Sequence, residues 1–243
     1  MWLVLCDRED QAARWVGTEL RERGLDPVEL VDSGTLTRSV RSVHRIEEDR
    51  ASFEITLPDG RTLASDDVEG VLNRLTYAPV EHLVFASEAD TRYAVAEVSA
   101  LVLSWLQCLA PVTVNRPSPL GLCGAWRSPA EWSVLAAGAG LPVAPLRLSS
   151  EGGTTATTKA AARTVVVLGE HVFGCGAIPA LRPACRRLAR AAGADLLGVD
   201  LELDEKHGAR FAGATLLPDL RIAGTALVAR LHAYLTRLPA RPW

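Results

Sequence analysis

The amino terminus holds the strongest constraint on this chain's fold. Trp2–Leu5 is an uninterrupted apolar run, Asp7–Arg23 has helical periodicity with Trp15, Val16 and Leu20 on one face, and Pro27–Val31 is apolar again. Gly24 stands where the helical pattern stops. Strand, helix and strand within so few residues leave room only for a crossover that lays the second strand parallel to the first. The chain therefore begins as a parallel α/β layer, which needs apolar cover on both faces.

The rest of the first half continues that layer and interrupts it once. Between Arg41 and Leu63, two β-rich runs meet at Pro58-Asp59-Gly60, a turn signal that predicts an inserted hairpin. Val68–Arg74 returns as a strand ending in Asn73 and Arg74, and Pro111–Asn115 closes the layer before Arg116. Between them, residues 90–109 form a long helix that is apolar nearly all round, which predicts cover on several sides. After Pro117–Gly124, Ser128, Pro129 and Glu131 supply an N-cap, a first helical residue and the partner of a capping box. Leu141–Leu148 is strand-like, whereas residues 149–162 are small and polar and make a linker. Arg163–Gly174 reads as two strands about Gly169-Glu170, Ile178–Ala194 as a helix, Asp195–Leu203 as a strong strand, and Ile222–Leu238 as a final helix.

A formal charge of −3 gives no reason to expect nucleic acid or an anionic membrane as a partner. No apolar run approaches a membrane span, and the first residues lack the pattern of a secretory signal. The 5 cysteines have no C-x-x-C spacing. These features together imply a reducing cytoplasm. The histidines lack zinc-ligand spacing, and no Gly-Lys-Ser/Thr follows the glycines near residue 174, so neither a metal centre nor a P-loop is expected.

Three stretches carry a resemblance: "GVLNR" with "EADTRYAVAEVSALVLSWLQCLAPVTVNRP", then "SPAEWSVLAAGAGLPVAPL", then "TVVVLGEHVFG" with "ACRRLARAAGADLLGVDLEL". Their order resembles the ATP-grasp superfamily, in particular the branch of the ribosomal-protein S6 modifying ligase and peptide-modifying ligases. The resemblance implies an α/β pre-ATP-grasp-like domain over 1–117 and a truncated ATP-grasp-like α+β domain over 118–243. It also implies two magnesium ions held by a carboxylate such as Asp200 and by an F-x-E-x-N strand. Here "FAGAT" puts Gly213 and Thr215 at the Glu and Asn positions. The lysine-bearing subdomain that should follow Leu148 is replaced by the small-residue linker, with Lys159 its single basic residue.

These departures lead to an expectation of no ATP, no metal and no other cofactor. The expected activity is instead elimination or intramolecular amine substitution on an amino acid, free or held by a carrier protein or peptide, within natural-product biosynthesis and as a homo- or hetero-oligomer. A non-catalytic subunit and a minimal ATP-dependent ligase are the alternatives. Asp200, Asp219 and Glu97 are the candidate acid–base groups. Asn73, Arg74, Arg92, Asn115, Arg116 and Arg221 are the candidate substrate-binding groups. The plainer readings are a surface ion pair for Arg74, a turn fixed by Pro117 for Asn115 and Arg116, and a helix cap for Asp219. Glu97, in apolar surroundings, needs a partner, with Arg74 and Arg92 the candidates. His171 and Cys175 suggest a nucleophilic pair, but a turn and a packed thiol explain them as well.

Overall fold

A computed structural model describes residues 1–48, 50–80, 82–144, 162–174, 176, 178–204 and 208–238. The chain divides into two compact units, Met1–Ala125 with Val228–Trp243, and Trp126–Leu227.

The first unit has β1 (Trp2–Cys6), α1 (Gln11–Glu22), β2 (Val28–Asp32) and a five-residue helix α2 (Ser33–Thr37). There follow β3 (Arg41–Ile46), β4 (Ala51–Thr56), β5 (Thr62–Ala64), β6 (Gly70–Arg74), α3 (Glu88–Leu109) and β7 (Thr113–Val114). One sheet has the order β2-β1-β6-β7, and all its pairs are parallel. Helix α1 starts where the Asp10 side chain accepts from the Ala13 N–H at 2.9 Å. It lies close on the sheet because Gly17 has no Cβ. One built there would stand 3.4 Å from Leu30.

The inserted segment is a separate antiparallel sheet of three strands, β3-β4-β5, rather than a lone hairpin. It buries Phe53 against Trp105 of α3, with ring centroids 5.1 Å apart and planes at 66°. Leu57 and Leu63 join Leu106 and Leu109 in the same core.

Helix α3 departs from expectation. Only Trp105, Leu106 and Leu109 are buried, and the four turns before them are exposed or half-exposed. By length and composition alone it could cross a membrane, which corrects the expectation that no run approaches that size.

The second unit has α4 (Pro129–Gly138), β8 (Ala162–Leu168), β9 (His171–Phe173), α5 (Arg182–Ala192), β10 (Leu196–Asp204) and β11 (Gly208–Thr215). Helix α6 (Gly224–Leu235) starts in this unit and ends in the first. The predicted capping box of α4 is present, with Ser128 and Glu131 bonded reciprocally. The sheet order is β11-β10-β8-β9, antiparallel throughout. One face carries Val165, Val167, Leu197, Val199 and Leu201, packed with Leu188 of α5 and Trp132 of α4. Between α4 and β8, Ala139–Ala144 contributes an isolated parallel bridge from Val143 to Phe211. Residues 145–148 of the strand-like stretch, and 149–161 of the expected linker with Lys159, lie outside the described residues.

Candidate functional site

Two places in the fold gather the candidate residues, one in each unit. In the first unit the direction of chain winding reverses at β1, which has β2 on one side and β6 on the other. Open α/β sheets bind ligands beyond the carboxyl ends of strands at such a point. Register sets Cys6 beside Arg74 there, and Asn73 one residue earlier on β6.

The polar side chains at this point satisfy one another. Arg74, only 4% exposed, donates from Nε to Asp10 Oδ2 at 2.6 Å. Asn73 Nδ2 donates to the Leu122 carbonyl at 2.8 Å, and its Oδ1 accepts from the Leu75 N–H at 3.1 Å. Asp7 accepts from the Thr76 hydroxyl, and from the Thr76 N–H at 3.3 Å. Asn115 is buried with φ of 58°, a left-handed conformation that Asn tolerates better than most residues. Arg116 next to it is exposed.

The nearby thiols are poor nucleophiles. Burial pushes Cys6 up to about 12, and the Asp10 and Asp32 carboxylates add to this while Arg14 opposes it. Burial pushes Cys123 up to about 11, against the pull of the Arg74 guanidinium.

Two candidates on α3 do not join this group. Glu97 is exposed, which corrects the expectation of a buried carboxylate paired with Arg74 or Arg92. Arg74 pairs with Asp10, and Arg92 pairs with Glu88 one turn earlier at 3.1 Å on an exposed face. Such a pair contributes about 0.3–0.5 kcal/mol.

In the second unit Asp200 is at the middle of β10, on the sheet face opposite the main core, and is half-buried. Thr164 of β8 is its neighbour in register and donates its hydroxyl to Asp200 Oδ1 at 2.6 Å. Gly213 of β11 is the neighbour on the other side, and a Cβ built there would stand 3.7 Å from Asp200 Oδ2. The strand therefore presents a carboxylate with one oxygen held and the other beside bare backbone. A bulge follows between Asp200 and Leu201, so the next polar pair on β10 and β11 is Glu202 opposite Arg210.

Asp219 and Arg221 form a local unit. Asp219 Oδ1 accepts from the Arg221 N–H at 3.0 Å and Nε at 2.9 Å, and Oδ2 accepts from a terminal guanidinium nitrogen at 2.8 Å. This caps the short 3₁₀ turn Leu220–Ala223. His171 is exposed on β9, and Cys175 lies outside the described residues.

Magnesium takes a near-octahedral shell of oxygens, with carboxylates and phosphates among them. The donors round Asp200 are one carboxylate, a threonine hydroxyl already bonded to it, and glycine where a second carboxylate would be needed. Among the described residues no three His, Cys, Asp or Glu side chains gather to hold a metal. This donor set does not fit a pair of magnesium ions.

No protein-family profile and no curated protein sequence matches the chain. Solved structures do resemble it. The macrocyclase MdnC bound with precursor peptide MdnA, from Microcystis aeruginosa MRC, aligns with 95% of this chain and 100% of its own, at 10% identity and a TM-score of 0.70. A Chryseobacterium gregarium RiPP-associated ATP-grasp ligase, in complex with ADP and a leader and core peptide, aligns over 98% and 95% at 10% identity and 0.69. The ATP-grasp ligase PsnB, complexed with precursor peptide PsnA2 and AMPPNP, aligns over 97% and 98% at 16% identity and 0.68. The fold is ATP-grasp-like, as the order of sequence motifs implied.

Proposed function

We propose that the chain acts in peptide or amino-acid-derived natural-product biosynthesis and holds an amine of its substrate at Asp200, without ATP. The observation that carries this reading is the register of β10 and β11, which sets Gly213 and not a second carboxylate across from Asp200. The similar structures hold precursor peptides, which supports a peptide or carrier-bound substrate. A carboxylate anchored by one hydroxyl can bind an ammonium and take its proton. In an intramolecular substitution the freed lone pair would form the new C–N bond, and the leaving group would depart with the electrons of the bond it breaks. Asp219, held by Arg221, is the second acid–base candidate of this reading, and the first-unit residues Glu97, Asn73, Arg74, Arg92, Asn115 and Arg116 have no role in it.

Two of the similar structures also contain adenine nucleotides, which favours an ATP-dependent ligase as a second reading. Calorimetry with ATP and magnesium on the full chain separates the two. No binding heat is the expected result. Micromolar nucleotide binding would overturn the ATP-independent reading and restore the ligase.

A further inference from the structure

We infer that Cys108 and His44 form a thiol-exchange site, at which the thiol takes up a small disulfide of the oxidised-glutathione class as a mixed disulfide. Cys108 Sγ is 3.5 Å from His44 Nε2 and 3.5 Å from the carbonyl oxygen of Ser104, one turn earlier on α3. Strand register explains how two residues 64 apart meet. His44 of β3 is directly opposite Phe53 of β4, so their side chains share a face of the small sheet. Phe53 packs edge-on against Trp105, and Cys108 is three residues beyond Trp105 on the same side of α3.

Access and chemistry single out this thiol. Of the four described cysteines, Cys6, Cys123 and Cys185 are buried, and burial pushes Cys6 up to about 12 and Cys123 up to about 11. Cys108 and His44 are both half-buried, so a reagent can reach them. An imidazole in contact with the sulfur can accept its proton and leave the reactive thiolate. The last turn of α3 favours a positive group, so it stabilises the imidazolium and makes the thiolate dependent on His44. Helix α3 has no charged residue between Glu97 and Cys108, and the Arg45–Glu54 pair, at 3.3 Å, is on the other face of the sheet. In the exchange, the Cys108 thiolate attacks one sulfur of the disulfide. The new S–S bond forms as the old one breaks, and the departing thiolate takes the proton held on His44 Nε2. One disulfide is consumed, one thiol is released, and His44 returns to its neutral form. Acyl transfer fits less well. Its tetrahedral oxyanion needs hydrogen-bond donors, whereas the group beside Cys108 is the Ser104 carbonyl, an acceptor. Exchange between sulfurs needs no such donors. The site does not depend on what Asp200 binds.

Incubation of the reduced full chain with oxidised glutathione, followed by peptide mass mapping, tests this. The expected result is one glutathionyl group on Cys108, removed by dithiothreitol, before any other cysteine reacts. Cys108→Ser should abolish that first reaction. His44→Gln should slow it by about three- to tenfold at neutral pH, and the gap should close at alkaline pH, where the thiol ionises without help. A merely structural role for His44 would leave the same gap at both pH values, and that result would overturn the inference. So would modification first at another cysteine, or equal rates for the wild type and His44→Gln at neutral pH. If circular dichroism shows that His44→Gln does not fold, the wild-type rate decides instead. Reaction of Cys108 at least as fast as that of free cysteine at neutral pH supports the site, and slower reaction or none overturns it.

Discussion

In sequence, the strand-end cluster of the first unit resembles the carboxylate of the other, since each is a polar residue at the end of or within an apolar strand. Their surroundings differ. Arg74 and Asn73 are 4% and 2% exposed and are already bonded to Asp10 and Leu122. Asp200 is half-buried, with a single described hydrogen bond from Thr164 and open backbone at Gly213. A polar group that has spent its hydrogen bonds internally holds the fold together, whereas one with capacity left can receive a ligand. The contrast supports the proposal that the first cluster is architectural and that Asp200 receives the substrate.

The largest expected effect tests the architectural half. Arg74→Met should destabilise the chain by about 3–5 kcal/mol, because it strands the Asp10 carboxylate without its buried counter-charge. Urea unfolding measures this. A loss under about 1 kcal/mol would mean the pair is hydrated, and would return Arg74 to the groups available to a ligand.

Next is Asp200→Asn, which keeps the shape and removes the charge. It should leave the unfolding midpoint nearly unchanged and weaken binding of amine-bearing peptides by about 1.5–3 kcal/mol, the range for hydrogen bonds to a charged group. Titration with a peptide and its N-acetylated counterpart gives the comparison. If stability falls and the two peptides bind equally, Asp200 is another internally satisfied group and the contrast disappears.

The alkaline limb of stability sharpens the architectural half further. The folded Cys6 value, about 12, lies above its ordinary value of 9.0, so the folded state keeps a proton that the unfolded chain releases. The stability linked to this thiol is fully present below pH 9 and is lost as pH rises from there towards 12. Cys6→Ala should flatten that limb in a series of urea melts at increasing pH. An unchanged slope would place the loss on other groups.

Local signals explain how much of this is legible in the sequence. The apolar run of β1, the helical face of α1, the Pro58-Asp59-Gly60 turn and the Ser128–Glu131 box each act within a few residues, and each forms in the structure. The resemblance puts Asp200 and Gly213 at one site, but their direct opposition is not legible. The register running from Asp204 and Gly208 would set Ala212 there, and only the bulge at Asp200/Leu201 brings Gly213 across. The partner of Arg74 is not legible either, since Asp10 lies 64 residues away and nothing near either residue marks the other. The exposure of α3 is hidden for a different reason. Its periodicity shows which faces are apolar but not whether this chain covers them, and the expectation of a buried Glu97 fails on that account. Helix α2 leaves no trace in the pattern because five residues held by an Asp32 cap are too short to show a period.

The smallest effect concerns Asp219, which the sequence puts beside Asp200 as another acid–base group. In the structure its oxygens are engaged by the Arg221 backbone and guanidinium, in an ion pair whose Arg and Asp side chains are 53% and 38% exposed. Asp219→Ala removes a cap and an exposed pair, so the expected loss is about 0.5–1 kcal/mol of stability, read as a small shift in the urea midpoint. Binding of amine-bearing peptides should be unaffected. If Asp219→Ala instead weakens that binding as much as Asp200→Asn does, the two carboxylates act as a pair, and internal hydrogen bonding no longer separates structural groups from available ones. The double variant then decides between independent and shared roles. Losses that add indicate two separate contacts, whereas a double variant no worse than either single shows one proton-accepting site built from both.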